Sequence, residues 1–86
     1  MRLYKIYTED VNREAIEALV QDKFDSFTVQ FSTGYYKNQQ EKSLTIEILA
    51  RADAVGTVRK LARAIKVENQ QDAVLLIVSE MQTETV

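Results

Sequence analysis

Ser26-Phe27-Thr28-Val29-Gln30-Phe31-Ser32-Thr33-Gly34-Tyr35-Tyr36-Lys37-Asn38-Gln39-Gln40-Glu41-Lys42-Ser43-Leu44-Thr45-Ile46-Glu47-Ile48-Leu49-Ala50 decides how this chain folds. On its first arm Phe27, Val29 and Phe31 fall on one side, and Thr28, Gln30 and Ser32 on the other. On its second arm Leu44, Ile46 and Ile48 oppose Thr45, Glu47 and Leu49. Alternation with period two puts successive side chains on opposite faces of a pleated strand, so each arm reads as a half-buried strand. The polar run Tyr35 to Glu41 between them makes the pair a β-hairpin. Gly34 interrupts the first arm, where a glycine predicts a bulge or a close backbone approach.

Working outward, Leu3-Tyr4-Lys5-Ile6-Tyr7 has strand composition. Thr8-Glu9-Asp10 then supplies a helix start, with Thr8 or Asp10 as the cap. From Val11 to about Lys23, the apolar residues Val11, Ala15, Ile16, Ala18, Leu19 and Val20 gather on one helical face. After the hairpin, Asp53 is placed to cap a second helix, whose apolar residues Val55, Val58, Leu61, Ala62 and Ile65 recur at steps of three and four. Gly56 in its first turn suggests close packing there. Ala73-Val74-Leu75-Leu76-Ile77-Val78 is apolar on both faces and short, as befits a strand. The order βαββαβ predicts an α+β, ferredoxin-like fold: a four-stranded antiparallel sheet, spatial order 4-1-3-2, with two helices on one face. Residues 1–86 read as a single domain, with 81–86 as a frayed tail.

Composition closes off several functions. With no Cys and no His, a disulfide scaffold and a zinc module are excluded, and no cofactor is called for. No apolar run approaches a membrane span, and Glu9 and Asp10 spoil a secretory signal, so a cytoplasmic location is expected. The only glycines are Gly34 and Gly56, which rules out glycine-rich phosphate loops. A net charge of −2 makes nucleic acid an unlikely main partner.

Helices cover one sheet face, and the other should then be polar in a monomer. The last strand is greasy on both sides, and Leu49, on the outer face of its own strand, adds to that patch. Burying such a surface in an oligomer, with the sheets facing inward, is the expected resolution. The alternative is that the strand packs under its own tail, Met81-Gln82-Thr83.

Gly34-Tyr35-Tyr36-Lys37-Asn38-Gln39-Gln40-Glu41-Lys42-Ser43, running into Leu44-Thr45-Ile46-Glu47-Ile48-Leu49, resembles the hairpin of CutA proteins. There an aromatic pair, a lysine and a turn lead through acidic residues into an apolar strand. The similarity extends from about Phe27 to Glu80. It implies the fold shared by CutA and the PII signal-transduction proteins, and with it a homotrimer holding small ligands in clefts between subunits. The chain departs from CutA in lacking Cys and His for metal binding, and from PII in the shortness of its hairpin connection.

Tyr35, Tyr36, Lys37, Glu41 and Lys42 form the densest mixed cluster and the first candidate site: flat rings for stacking, ammonium groups for a phosphate or carboxylate. The same residues also suit a hairpin that simply locks onto a neighbouring subunit. Arg59, Arg63 and Lys66 form a basic stripe on the second helix, either a receptor for an anion or a solvated face opposite Glu14 and Glu17. Glu9 and Asp10 could bear a metal as in ferredoxin-like nucleases, though helix capping explains them more cheaply. Glu47 is a candidate for an ion pair between subunits. No nucleophile and base stand together, which argues against an enzyme. The leading expectation is thus a non-enzymatic trimer binding a small anionic metabolite or nucleotide, or acting as a regulatory adaptor. The alternatives are a purely structural module, and a nucleic-acid binder or Mg-dependent nuclease using Asp10 or Arg59 and Arg63.

Overall fold

A computed structural model describes all 86 residues. Its elements are β1 (Arg2–Glu9), α1 (Arg13–Gln21), β2 (Thr28–Tyr36), β3 (Gln39–Ala50), α2 (Val55–Glu68) and β4 (Leu75–Glu80). All neighbouring strands are antiparallel, in the spatial order β2-β3-β1-β4. This is the expected ferredoxin-like arrangement, with the central strand β1 between β3 and β4.

The alternation seen in the sequence is realised residue by residue. Tyr4 stands beside Ile48 and Val78, Ile6 beside Ile46 and Leu76, and Val29 beside Ile46. Apart from the exposed Val78, these side chains meet Ile16 and Val20 of α1 and Val58, Leu61, Ala62 and Ile65 of α2 in a single core. Burying each such side chain contributes about 1.5–3 kcal/mol, so this layer dominates the stability. The buried Tyr4 hydroxyl donates to the Arg51 carbonyl at 2.8 Å, pinning the start of the crossover into α2.

Several local expectations fail for identifiable reasons. Thr8 and Asp10 do not cap α1; Asn12 occupies that position without a side-chain cap bond. Thr8 is instead the last inward-facing residue of β1 and is buried. Asp10 binds the Arg13 guanidinium at 2.7 Å, and that hydrogen bond raises the Arg13 pKa above its ordinary value. The helix begins two residues later than expected, leaving Val11 exposed, and Ala18 also faces solvent. Asp53 does not cap α2, because a 3-10 turn at Ala52–Ala54 precedes that helix; Asp53 faces Arg51 at 3.8 Å instead. A methyl group at Gly56 would meet nothing within 4 Å, so no close packing explains that glycine. Gly34 lies in an unbroken register, opposite Glu41, and makes no bulge. The close approach is real: a Cβ there would lie 2.5 Å from Ser43 Oγ.

The hairpin connection is also shorter than expected. The pairing runs through both tyrosines, to Tyr36 opposite Gln39, and leaves a two-residue turn, Lys37-Asn38, with φ of 50° and 62°. Two consecutive left-handed residues give the turn whose twist matches that of the flanking strands.

Candidate functional site

Register places the candidate site. β1 ends at Glu9, opposite Ser43, whereas β2 and β3 pair onward to Tyr36 and Gln39. The hairpin therefore projects past the end of the central strand. On the other flank β4 starts only at Leu75, opposite Tyr7, and the segment leading to it passes beside Thr8 and Glu9. A cleft of about 700 Å³ fills this notch, floored by the end of β1 and walled by the hairpin and by residues 70–75. Gly34, having no side chain, leaves room along the hairpin wall.

One wall is firmly held. α2 closes with Gln70 in the left-handed region at φ 53°, and the Gln71 N–H donates to the Lys66 carbonyl while the Gln70 N–H donates to that of Val67. This is the Schellman closure, usually reserved for glycine. It brings Asn69 under the end of β1, where its side-chain amide donates to Thr8 Oγ1 and to the Glu9 carbonyl, each at 2.9 Å. Gln71 Oε1 accepts from the Thr8 hydroxyl and from the Glu9 N–H. Asn12 adds a bond from its Nδ2 to the Glu68 carbonyl at 3.2 Å, tying α1 to the same junction. No buried side-chain polar atom is left without a partner.

The predicted site residues divide. Tyr35, Tyr36 and Glu41 line the cleft; Lys37 and Lys42 do not. The Lys37 ammonium lies over the ring of its neighbour Tyr36, 5.4 Å from the centroid, and Lys42 is an exposed residue paired with Thr33. Arg59 and Arg63 are exposed on α2 away from this cleft, and no ion pair joins them to Glu14 or Glu17. Arg63 and Lys66 border a smaller depression of about 250 Å³ against Ala62 and residues 72–74. Glu47 pairs with Lys5 of its own chain at 3.7 Å. Asp10 is engaged by Arg13, and no three acidic side chains converge as a metal centre would require.

Sequence reasoning missed Tyr7, Asp72 and the other contributions of the α2–β4 loop, and read Glu9 as part of a helix start or, with Asp10, as a metal-bearing acid, not as part of this cleft. Their role depends on a notch created by unequal strand lengths, which composition does not reveal. The polar run Asn69-Gln70-Gln71-Asp72 was the one available signal.

No family model and no curated protein matches this chain. Among solved structures it is similar to a DUF3240 family protein from Shewanella baltica OS155, with a TM-score of 0.78 at 12% identity, covering 99% of this chain and 94% of that one. It is also similar to a phage SAM lyase in the apo state, with a TM-score of 0.72 at 17% identity, covering 91% of this chain and 78% of the other. At such identities the likeness is one of fold. Both neighbours are small proteins of the ferredoxin-like type.

Proposed function

We propose that the protein is a PII/CutA-like homo-oligomer, a trimer by that resemblance, which binds a small ligand in the notch at the end of its central strand, where a neighbouring subunit closes the open side. The observation that carries this reading is the uncovered sheet face. Leu75 is 59% exposed, Leu49 45% and Ile77 39%, and Val78 on the opposite side of β4 is 40% exposed. Leu3 and Leu49 are adjacent across β1 and β3, and Leu75 and Ile77 continue the patch on β4. The tail does not cover it: residues 81–86 are exposed and carry no regular structure. An apolar strip of this kind beside a free strand edge marks a surface made for contact. The cleft abuts it, since Tyr7 and Leu75 belong to both.

Light scattering on a sizing column tests the reading. A mass near three times the 9.9 kDa of one chain is expected, and Ile77→Glu should shift it to the single-chain value. A wild-type monomer at micromolar concentration would overturn both the assembly and the closed cleft.

A second reading is a lyase acting on SAM, as the phage neighbour's name describes. In its favour, the cleft gathers tyrosine hydroxyls and carboxylates, groups able to transfer protons. SAM that stays intact during prolonged incubation with the protein would remove this reading.

A further inference from the structure

The lining of the cleft has a definite electrical character. Glu9, Glu41 and Asp72 contribute to it, and no lysine or arginine does. None of these three carboxylates has a cationic partner within 4.0 Å, whereas Asp10, Asp22, Glu47, Asp53 and Glu80 all do. The apolar part of the lining is aromatic and aliphatic, with Tyr7, Tyr36 and Leu75 projecting from the open sheet face. The Tyr36 ring already holds a positive charge, the ammonium of Lys37, on a flexible stem at the rim. A ring face attracts cations through its quadrupole, most strongly where water is displaced.

We propose that the cleft takes a small organic cation, its positive centre held against the tyrosine rings and balanced by Glu9, Glu41 and Asp72, its apolar body lying toward Leu75. This rests on reading the notch as a ligand site, and it assigns the ligand a charge opposite to the one suggested by Lys37 and Lys42. A bare metal ion is the poorer occupant, because the carboxylates line the cleft without converging into a coordinating group. The volume, about 700 Å³, suits a ligand of drug-like size rather than an ion.

A matched set of probes tests the charge. Choline, its neutral isostere 3,3-dimethylbutan-1-ol and the anion AMP are each titrated into the full-length protein, with backbone amide resonances as the readout. Choline should shift the amides of Gly34, Glu41 and Asp72 saturably, and the isostere should need about ten-fold more to do so. Glu9→Gln combined with Glu41→Gln should weaken choline by about ten-fold while circular dichroism stays unchanged. If AMP shifts the same amides and choline does not, the notch stands as a ligand site and the cation is wrong. Equal response to choline and its isostere also defeats the charge assignment. If no probe moves these amides, the ligand site itself falls.

Discussion

Replacing Asn69 by alanine should cost this small protein a large share of its stability. Asn69 is only 9% exposed, and its amide makes two bonds of 2.9 Å, to Thr8 Oγ1 and to the Glu9 carbonyl. Each bond contributes about 1 kcal/mol net, and stranding the buried partners adds a desolvation penalty, so the expected loss is roughly 2–3 kcal/mol. The backbone at Asn69 is ordinary right-handed helix, φ −85° and ψ −2°, so alanine introduces no conformational strain to confuse the result. A domain of this length has roughly 4–13 kcal/mol to lose, and each 1 kcal/mol lowers the melting temperature by about 4–8 °C. Urea unfolding at fixed protein concentration should show a lower midpoint with unchanged slope. Asn12→Ala serves as control: its bonds are longer and partly wet, and the cost should stay below about 0.5 kcal/mol. An Asn69→Ala loss no larger than the control's would refute the idea that this junction holds the α2–β4 wall in place.

Glycine at Gln70 should stabilise the fold by about 0.5–1 kcal/mol in the same urea assay, because φ is 53° there and only glycine adopts it freely. Gly56→Ala should raise stability by up to ~1 kcal/mol, since the added methyl group meets nothing and the helix gains propensity. Gly34→Ala should destabilise through its contact with Ser43 Oγ, and Ser43→Ala in the same chain should recover most of the loss, a coupling read from a double-mutant cycle. Stability should be nearly flat between about pH 6 and 9, because the chain has no histidine or cysteine to titrate there. The guanidinium pKa values of Arg2 and Arg13 are raised in the fold, Arg2 by its hydrogen bond to Glu80 and Arg13 by its bond to Asp10. Their contribution is therefore complete below the ordinary arginine range and lost only above it. A melting temperature that changed by more than a few degrees across that window would contradict this.

The sheet and its inner face were legible because alternation is a strong signal: Leu44, Ile46 and Ile48 had only one face to share. Helix ends were less so. Thr8 looked like a cap because threonine often is one, but the strand ran two residues further and tertiary bonds from Asn69 and Gln71 claimed it. The site was half legible. Tyr35, Tyr36 and Glu41 stood out as a cluster, whereas Tyr7 and Asp72 join them only through the relative lengths of three strands. Lys37 and Lys42 are near the tyrosines in sequence, yet the turn lays Lys37 over the Tyr36 ring and the pleat leaves Lys42, opposite Thr33, out of the cleft lining.

The projecting hairpin gives the notch two unlike jaws. Beyond Ser32 and Ser43 it is a ribbon of two strands, and such ribbons are barely stable alone in water. The facing jaw is riveted through Asn69 and Gln71 to the end of the central strand β1. Amides near Tyr35 and Gln40 should therefore exchange with deuterium far sooner than those near Gln71. A guest in the proposed site would meet one stiff side and one that yields, with the core undisturbed.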